Sequence, residues 1–283
     1  MPAFRVMMFT VLAMLAFAGN SLLCRLALKN TAIDAASFTS VRLVAAAITL
    51  WVLVSIFARS KAVAGNWPSA LALFIYAAGF SFAYINLTAA TGALLLFGSV
   101  QISMIGFGIW KGERFSGLQI VGFLTAIAGL ISLVLPGLSA PPLTNAILMI
   151  AAGVAWGAYS LRGRGAGDPT AVTAGNFIRT IPFTLVLSVV MFKHMNLDNQ
   201  GVYFALASGA ITSGLGYSIW YWALPGLKVT QAATVQLSVP VIAAFGGVLI
   251  LGESLSLRLM VASVAIITGI ACVIYEKYKA SVV

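Results

Sequence analysis

The sequence carries very little charge for its length. Its 16 Lys and Arg residues and six Asp and Glu residues make up 8% of 283 positions, against about 25% in soluble domains. A water-soluble protein of this length needs many more charged side chains to cover its surface. The composition therefore excludes a soluble enzyme, a nucleic-acid-binding protein and a disordered chain. With 61% hydrophobic residues, the outer surface is expected to face lipid.

Residues that carry catalysis or bind metals are also scarce. The single histidine, His194, lies in a predicted loop with no acidic partner deep in an apolar stretch, which argues against an intramembrane hydrolase. The two cysteines, Cys24 and Cys272, lie in apolar stretches without a neighbouring Cys or His at a metal-ligand spacing, so we interpret them as packing residues. We expect no enzyme activity, no metal site and no cofactor.

Long apolar stretches dominate what remains. A transmembrane helix needs about 20 mostly apolar residues, and breaks at charged residues, Pro, Gly and Asn or Asp divide the chain into ten such stretches. Asp168, Ser116 and Ser256 stand where helix N-caps are expected. The predicted fold is an all-α membrane protein with spans at 4–27, 34–57, 68–87, 89–110, 116–135, 143–161, 169–191, 200–222, 228–250 and 256–275.

The first stretch has two interpretations. A basic residue, an apolar core and the sequence Ala16-Phe17-Ala18 resemble a cleaved signal peptide. The alternative is an uncleaved first helix. We favour the second because the apolar run continues to about Ala27 and because an internal repeat requires this helix.

The basic residues predict the orientation. With the N-terminus in the cytoplasm, ten Lys and Arg residues fall in cytoplasmic loops and four on the opposite side, as the positive-inside rule expects. The formal net charge of +10 is then mainly a signal of topology, and no nucleic-acid partner is expected. Both termini are predicted to be cytoplasmic.

The chain also contains a repeat. A shift of 140 residues places Gly112-Glu113 on Gly252-Glu253, each at the turn between two spans, and Gly129 on Gly269. Smaller changes of offset place Ala16-Phe17-Ala18 on Ala155-Trp156-Gly157, Ser21 on Ser160 and Arg42 on Arg179. The prediction is two five-helix units, 1–137 and 138–283, which form one transport domain. Because five is odd, the second unit enters the membrane from the opposite side, an architecture that many transporters use.

These features resemble the EamA-type members of the drug/metabolite transporter superfamily, over essentially the whole chain. Within that superfamily the sequence is similar to bacterial aromatic amino acid exporters, although no single motif carries the narrower match. The resemblance implies efflux of amino acids or other metabolites across the inner membrane. The residues that carry it are Gly112-Glu113, Gly252-Glu253, Trp156-Gly157, Arg42, Arg179 and Pro240.

The charged residues near or inside spans are interpreted as structural. Arg42 and Arg179 lie well inside spans, where a charge needs a partner or a route to the interface. They fit either snorkelling or the binding of a substrate carboxylate, and we favour the structural role. Glu113 and Glu253 are expected to cap the helix that follows each of them. No acid lies deep in a span, so proton exchange through an embedded glutamate is not expected.

The candidate substrate path is aromatic. Tyr76, Phe80 and Tyr84 recur every fourth residue on the third span, as Ser213, Tyr217 and Tyr221 do on the eighth, which places each set on one helix face. An apolar cavity with a few polar groups suits a neutral or zwitterionic ligand, and Pro240 is a candidate hinge. The predicted substrate-binding residues are Asn20, Tyr76, Phe80, Tyr84, Ser99, Gln101, Trp156, Tyr159, Tyr217, Tyr221 and Gln236.

These predictions favour an exporter of small metabolites, with amino acids, including aromatic ones, as the expected substrates. It would work by alternating access through a central cavity between the repeats, in contact with membrane lipid. A carrier of phosphorylated sugars or nucleotides and a multidrug exporter remain the alternatives. The sequence predicts neither the energy coupling nor the oligomeric state.

Overall fold

The protein is described by a computed structural model that covers residues 3–57, 64–112, 114–137, 140–163, 168–227 and 235–280. Throughout these ranges the regular secondary structure is helical, which agrees with the predicted all-α class. The helices are α1 (Ala3–Asn30), α2 (Ala35–Phe57), α3 (Trp67–Tyr84), α4 (Ala89–Trp110), α5 (Gly117–Val134), α6 (Leu143–Gly163), α7 (Pro169–Val190), α8 (Asn199–Ala207), α9 (Gly216–Ala223), α10 (Ser238–Leu251) and α11 (Leu257–Ala280).

Nine helical segments within the described ranges are long and apolar enough to cross a membrane. One of them, Asn199–Gly226, joins α8 and α9 through a π-helical segment, Ser208–Leu215. Within the predicted ninth span, 228–250, residues 235–236 are helical and α10 extends from Ser238 to Leu251, while 228–234 lie outside the described residues. The other predicted spans each coincide with a helix to within a few residues.

Side-chain caps start the helices as the sequence predicts. Ser116 caps α5 with a capping box in which the Gln119 side chain accepts from the Ser116 amide. The carboxylate of Asp168 accepts from two amides at the start of α7. The hydroxyl of Ser256 accepts from the Leu259 amide at the start of α11. Three of the helix starts are therefore determined locally by cap chemistry.

Close helix contacts depend on glycine. On α6, a Cβ at Gly153 would lie 2.6 Å from the Leu96 carbonyl oxygen of α4, and one at Gly157 would collide with the Ser103 hydroxyl. On α5, a Cβ at Gly122 would lie 2.6 Å from the Gly269 carbonyl oxygen of α11. Small residues bring helix backbones close together in membranes, where van der Waals packing drives association.

The central helices come from both predicted repeats. α1 packs against α9 and α10, α2 against α7 and the π-helical segment, and α4 against α6 and α10. The α3 helix packs against α6 and α7, and α5 pairs with α11. The first helix is therefore part of the centre of the bundle, and its cleavage would remove Phe17 and Asn20 from the core.

Candidate functional site

An aromatic cluster lies where α1, α3, α6 and α9 meet. The ring centroids of Tyr76 and Trp156 are 4.8 Å apart, and those of Trp156 and Tyr217 are 5.0 Å apart. Phe17 meets Tyr217 edge-on at 5.7 Å, and Phe80 lies 5.6 Å from Tyr76. These separations fall in the range in which aromatic pairs attract one another. The cluster is thus a continuous aromatic surface contributed by both halves of the chain.

The cluster encloses a narrow cavity in the middle of the bundle. The rings leave room between them for little more than one water-sized sphere. A ligand the size of an amino acid therefore requires the rings to move apart. The lining residues are Phe17, Asn20, Tyr76, Phe80, Leu96, Phe97, Trp156 and Tyr217.

Helix geometry places these side chains together. Tyr76 and Phe80 are one helical turn apart on α3, so they share a face. Trp156 lies between Gly153 and Gly157, whose close contact with α4 brings its ring toward Leu96 and Phe97. The aromatic surface is therefore set by side-chain spacing on α3 and by glycine contacts on α6.

A polar network reaches the cavity through Asn20 on α1. The Asn20 side-chain oxygen accepts hydrogen bonds from the hydroxyls of Ser208 (2.7 Å) and Thr212 (3.2 Å), both in the π-helical segment. Its amide nitrogen donates to the Tyr76 hydroxyl at 3.3 Å. Asn20 consequently joins α1, α3 and the eighth span through a buried hydrogen-bond network.

Arg42 on α2 approaches the same aromatic surface. Its side chain is 1% exposed, and its Nη2 donates to the Tyr76 hydroxyl at 3.1 Å. The guanidinium carbon lies 4.8 Å from the centre of the Phe80 ring and 5.4 Å from that of Tyr76. The positive charge therefore lies beside two of the cavity-lining rings.

Arg179 occupies a different environment, although the repeat aligns it with Arg42. Its Nη1 donates to the carbonyl oxygens of Ala64 (2.9 Å) and Gly175 (3.0 Å), near the start of α3. Arg179 is half-buried, and its contacts fit the predicted structural role. The two aligned arginines therefore differ in their contacts: Arg179 binds backbone carbonyl oxygens, and Arg42 contacts the Tyr76 hydroxyl and two aromatic rings.

Glu253 accepts hydrogen bonds from two other parts of the chain. Its Oε1 pairs with Arg25 Nε at 3.0 Å, and its Oε2 accepts from the Ala89 amide at 2.8 Å. The prediction that Glu253 caps the following helix is wrong, because the cap it provides is at the start of α4 and Ser256 caps α11. Glu113 lies outside the described residues.

In the second half of the chain, the backbone conformation explains the glycine of the Gly-Glu motif. Gly252 ends α10 with φ of +63°, a left-handed conformation that glycine adopts at little cost. This turn directs Glu253 back toward α4. Gly112, its counterpart in the repeat alignment, has φ of +90°, so both glycines occupy conformations that side chains disfavour.

Of the predicted substrate-binding residues, the structure brings five together around the cavity. The five are Asn20, Tyr76, Phe80, Trp156 and Tyr217.

The other six predicted residues lie elsewhere. Tyr84 is fully buried, donates to the Ala89 carbonyl oxygen at 3.3 Å and leaves no space for a side chain at Gly92. Ser99 packs against Gly153 at the contact between α4 and α6. Tyr159 does not line the cavity, but its ring lies 5.3 Å from that of Trp156, so it extends the aromatic cluster on α6. The remaining three are Gln101, buried on α4; Tyr221, which lines a separate cleft; and Gln236, half-buried before α10.

The separate cleft lies where α7 begins. It has an empty volume of about 530 Å³ and lies against the Asp168 cap of α7 and the Tyr221 ring. Tyr217 and Tyr221 are one helical turn apart, but Tyr217 lines the aromatic cavity and Tyr221 lines this cleft. Pro240, the candidate hinge, lies in the first turn of α10, where its missing amide disrupts no helical hydrogen bond.

Sequence reasoning missed three cavity-lining residues, namely Phe17, Leu96 and Phe97. A signal for Phe17 was present, because the repeat aligns it with Trp156, and both rings line the cavity. Leu96 and Phe97 belong to an apolar run without a polar face, so periodicity could not single them out.

Comparison with known proteins agrees with this architecture. The model of the EamA-like transporter family matches residues 143–275. An uncharacterised protein of Pseudomonas aeruginosa is 55% identical over 275 residues, covering 97% of this chain and 96% of its own. An uncharacterised transporter of Archaeoglobus fulgidus is 25% identical over 276 residues, covering 92% and 93%.

Two further relatives bear on transport and fold. The threonine/homoserine exporter RhtA of Salmonella typhimurium is 30% identical over 166 residues, which is 55% of each chain. A solved crystal structure superposes with a TM-score of 0.63 at 15% identity, covering 95% of this chain and 96% of the other, so it supports the fold alone. The chain is a multi-pass membrane protein whose second half, residues 143–275, matches the EamA-like transporter family.

Proposed function

We propose that this protein exports amino acids with large apolar side chains, aromatic ones among them, across the bacterial inner membrane. The observation that carries the proposal is the central cavity, whose aromatic lining comes from both halves of the chain and includes the Asn20 amide. Such a lining suits a ligand with an apolar side chain and a small polar end. Similarity to an amino acid exporter over about half of the chain supports the direction of transport.

The helix contacts support alternating access between two repeats. Exchanging the first five spans with the last five leaves the main contacts unchanged: the contact of α3 with α6 corresponds to that of α1 with the eighth span, and α4 with α6 corresponds to α1 with α10. The pairs α2 with α7 and α5 with α11 map onto themselves. A two-fold relation in the membrane plane would produce this pattern.

The alternatives fit the cavity less well. A phosphorylated sugar or nucleotide calls for several converging cations, but Arg179 is bound to carbonyl oxygens near the start of α3. A cationic drug would meet the buried charge of Arg42. The charge beside the cavity therefore favours a zwitterion or a monoanion.

The test is counterflow of labelled amino acids in proteoliposomes that contain the purified protein. We expect saturable uptake of phenylalanine or leucine when the same amino acid is inside. Trp156→Ala removes a cavity ring and should weaken apparent affinity about tenfold, the loss expected for an aromatic contact.

The matched control is Trp110→Ala, because Trp110 is 76% exposed on α4, away from the cavity. This variant should transport like the parent protein. Failure of every amino acid to give saturable counterflow would contradict the proposed substrate class.

A further inference from the structure

We propose that Arg42 binds the carboxylate of the transported amino acid, so that a carboxylate is the polar group for which this cavity selects. The inference rests on the proposed function and names the side chain that recognises the polar end of the substrate. It departs from the structural role that the sequence favours for this residue.

The hydrogen bonds of Arg42 are incomplete. Nη2 donates to the Tyr76 hydroxyl, but within the described part of the chain neither Nε nor Nη1 has a hydrogen-bond partner. Three N–H groups of a guanidinium that is 1% exposed are thus left unpaired. A buried charge without partners is strongly unfavourable, so this arrangement is suited to an anion that arrives and leaves.

The neighbouring rings do not satisfy these donors. Phe80 and Tyr76 interact with the guanidinium carbon through their ring faces, at 4.8 Å and 5.4 Å. Such contacts stabilise the charge, but they do not replace in-plane acceptors for the N–H groups. A carboxylate is the planar acceptor that a guanidinium binds with two parallel hydrogen bonds.

The described acidic side chains are engaged elsewhere. Asp168 and Asp198 cap α7 and α8, and Glu253 pairs with Arg25. Asp34, between α1 and α2, accepts hydrogen bonds from three backbone amides. The printed hydrogen bond of the Arg42 guanidinium is to the Tyr76 hydroxyl, and the described ion pair joins Arg25 to Glu253. Within the described ranges, the protein thus supplies Arg42 with no carboxylate of its own.

The Tyr76 hydroxyl extends the same site into the cavity. It accepts hydrogen bonds from Arg42 Nη2 and from Asn20 Nδ2, so its own proton must point away from both. Tyr76 and Phe80 line the cavity and also contact the guanidinium. A ligand that moves the Phe80 ring aside reaches Arg42 and meets the Tyr76 proton as a second donor.

The wild-type protein provides the first measurement. Thermal stabilisation in detergent is titrated with L-phenylalanine, 3-phenylpropionate, which keeps the carboxylate, and L-phenylalaninol, which replaces it with an alcohol. We expect both carboxylates to bind at least about tenfold more tightly than phenylalaninol, as for a charge-assisted hydrogen-bonded pair. Equal binding of phenylalanine and phenylalaninol would overturn the inference, whatever the variants do.

The variants then locate the selectivity. Arg42→Gln should weaken phenylalanine binding on the order of 30-fold and phenylalaninol binding less than about threefold, because the alcohol forms no ion pair. Arg42→Lys keeps the charge but not the fork of donors, so an intermediate value is expected. Arg42→Lys also serves as the decisive variant if Arg42→Gln does not fold.

The matched control is Arg179→Gln, the arginine that the repeat aligns with Arg42. Its guanidinium is bound to carbonyl oxygens, so the ratio of phenylalanine to phenylalaninol affinity should stay at the wild-type value. An unchanged ratio in the Arg42 variants would overturn the inference while leaving amino acid transport intact. Absence of amino acid counterflow in the wild type would instead overturn the proposed function, and this inference with it.

Discussion

Two arginines at aligned positions of a repeat have different chemistry because their neighbours differ. The Nη1 group of Arg179 donates hydrogen bonds to the carbonyl oxygens of Ala64 and Gly175. Arg42 meets a phenol oxygen and two ring faces, which leave most of its donors unpaired among the described residues. A side chain's capacity to bind a ligand is therefore set by which of its hydrogen bonds the fold leaves open.

Asp34, between α1 and α2, provides a prediction on pH. Partial burial raises the pKa of its carboxyl, but hydrogen bonds from Ser37, Asn196 and Ala36 outweigh burial and hold that pKa below its ordinary value of 3.8. The carboxylate therefore stabilises the fold above about pH 4, and this contribution is lost as the pH falls through the lower, folded-state pKa.

Asp34→Asn should consequently unfold at a lower temperature than the parent protein at pH 7. The difference between the two should shrink below about pH 4 as the parent carboxylate takes up a proton. The measurement is thermal unfolding in detergent between about pH 7 and pH 3. A difference that stays constant over this range would contradict the prediction.

Sequence spacing predicts a shared face better than it predicts what that face contacts. The spacing of Tyr76, Phe80 and Tyr84 correctly places their side chains in one row on α3. Tyr84 nevertheless packs against Gly92 and the start of α4. Tyr84 contacts α4 because α4 begins next to it, and the sequence of α3 alone gives no information about that position.

Helix ends connect elements that are far apart in the chain. Arg25 on α1 donates to the carbonyl oxygens of Tyr84 and Ile85 at the end of α3, and it also pairs with Glu253. Glu253 in turn accepts the Ala89 amide at the start of α4, where the helix dipole favours a negative charge. One ion pair therefore joins α1, α3 and α4 to the turn between α10 and α11.

Removal of the Glu253 carboxylate should have a large effect on stability. Its side chain is 5% exposed, so Glu253→Ala leaves the Arg25 charge and the Ala89 amide without their partner. We expect a loss of about 3 kcal/mol, as for other buried ion pairs from which one member is removed. Asp198→Ala, which removes a cap without an ion pair, should cost only about 1 kcal/mol.

A double-mutant cycle separates the ion pair from the cap. Glu253→Gln retains an acceptor for the Ala89 amide, and combining it with Arg25→Gln should cost less than the sum of the two single changes, by about 1 kcal/mol. Thermal or denaturant unfolding in detergent gives these values. Strict additivity would show that the pair is not coupled.

Elements differ in how far the sequence predicts them. The starts of α5, α7 and α11 follow from cap residues within a few positions. No cap residue or other local sequence signal predicts the π-helical segment Ser208–Leu215. A π-helix differs from an α-helix in its backbone hydrogen bonds, and the apolar pattern of the sequence does not report that difference. The two partners of Glu253, Ala89 and Arg25, lie 164 and 228 residues away along the chain, beyond the reach of any local pattern.

The arrangement of the whole molecule agrees with alternating spans. Asp34 accepts a hydrogen bond from the Asn196 amide, and Glu253 accepts one from the Ala89 amide. The predicted topology places all four residues at the non-cytoplasmic side. At the other end, Arg162 donates to Ser69. Loops assigned to the same side by charge are thus neighbours in space, while the side that faces the cytoplasm remains a prediction.

Cysteine labelling tests that orientation. In a Cys24→Ala, Cys272→Ala background, single cysteines replace Lys193, which precedes α8, and Lys111, which follows α4; both positions are exposed. A membrane-impermeant maleimide should label Lys193→Cys in intact spheroplasts, and Lys111→Cys only after permeabilisation. Labelling in the opposite order would reverse the topology, and labelling of both before permeabilisation would contradict the span assignment.

The narrowness of the aromatic cavity has a consequence for the energised membrane. A proton crosses a membrane protein most readily along an unbroken file of hydrogen-bonded waters, and the rings leave room for little more than one. The cation of Arg42 beside them raises the energy of any second positive charge. In this conformation the protein should hold the proton-motive force without leakage, so that a resting transporter does not dissipate the membrane potential.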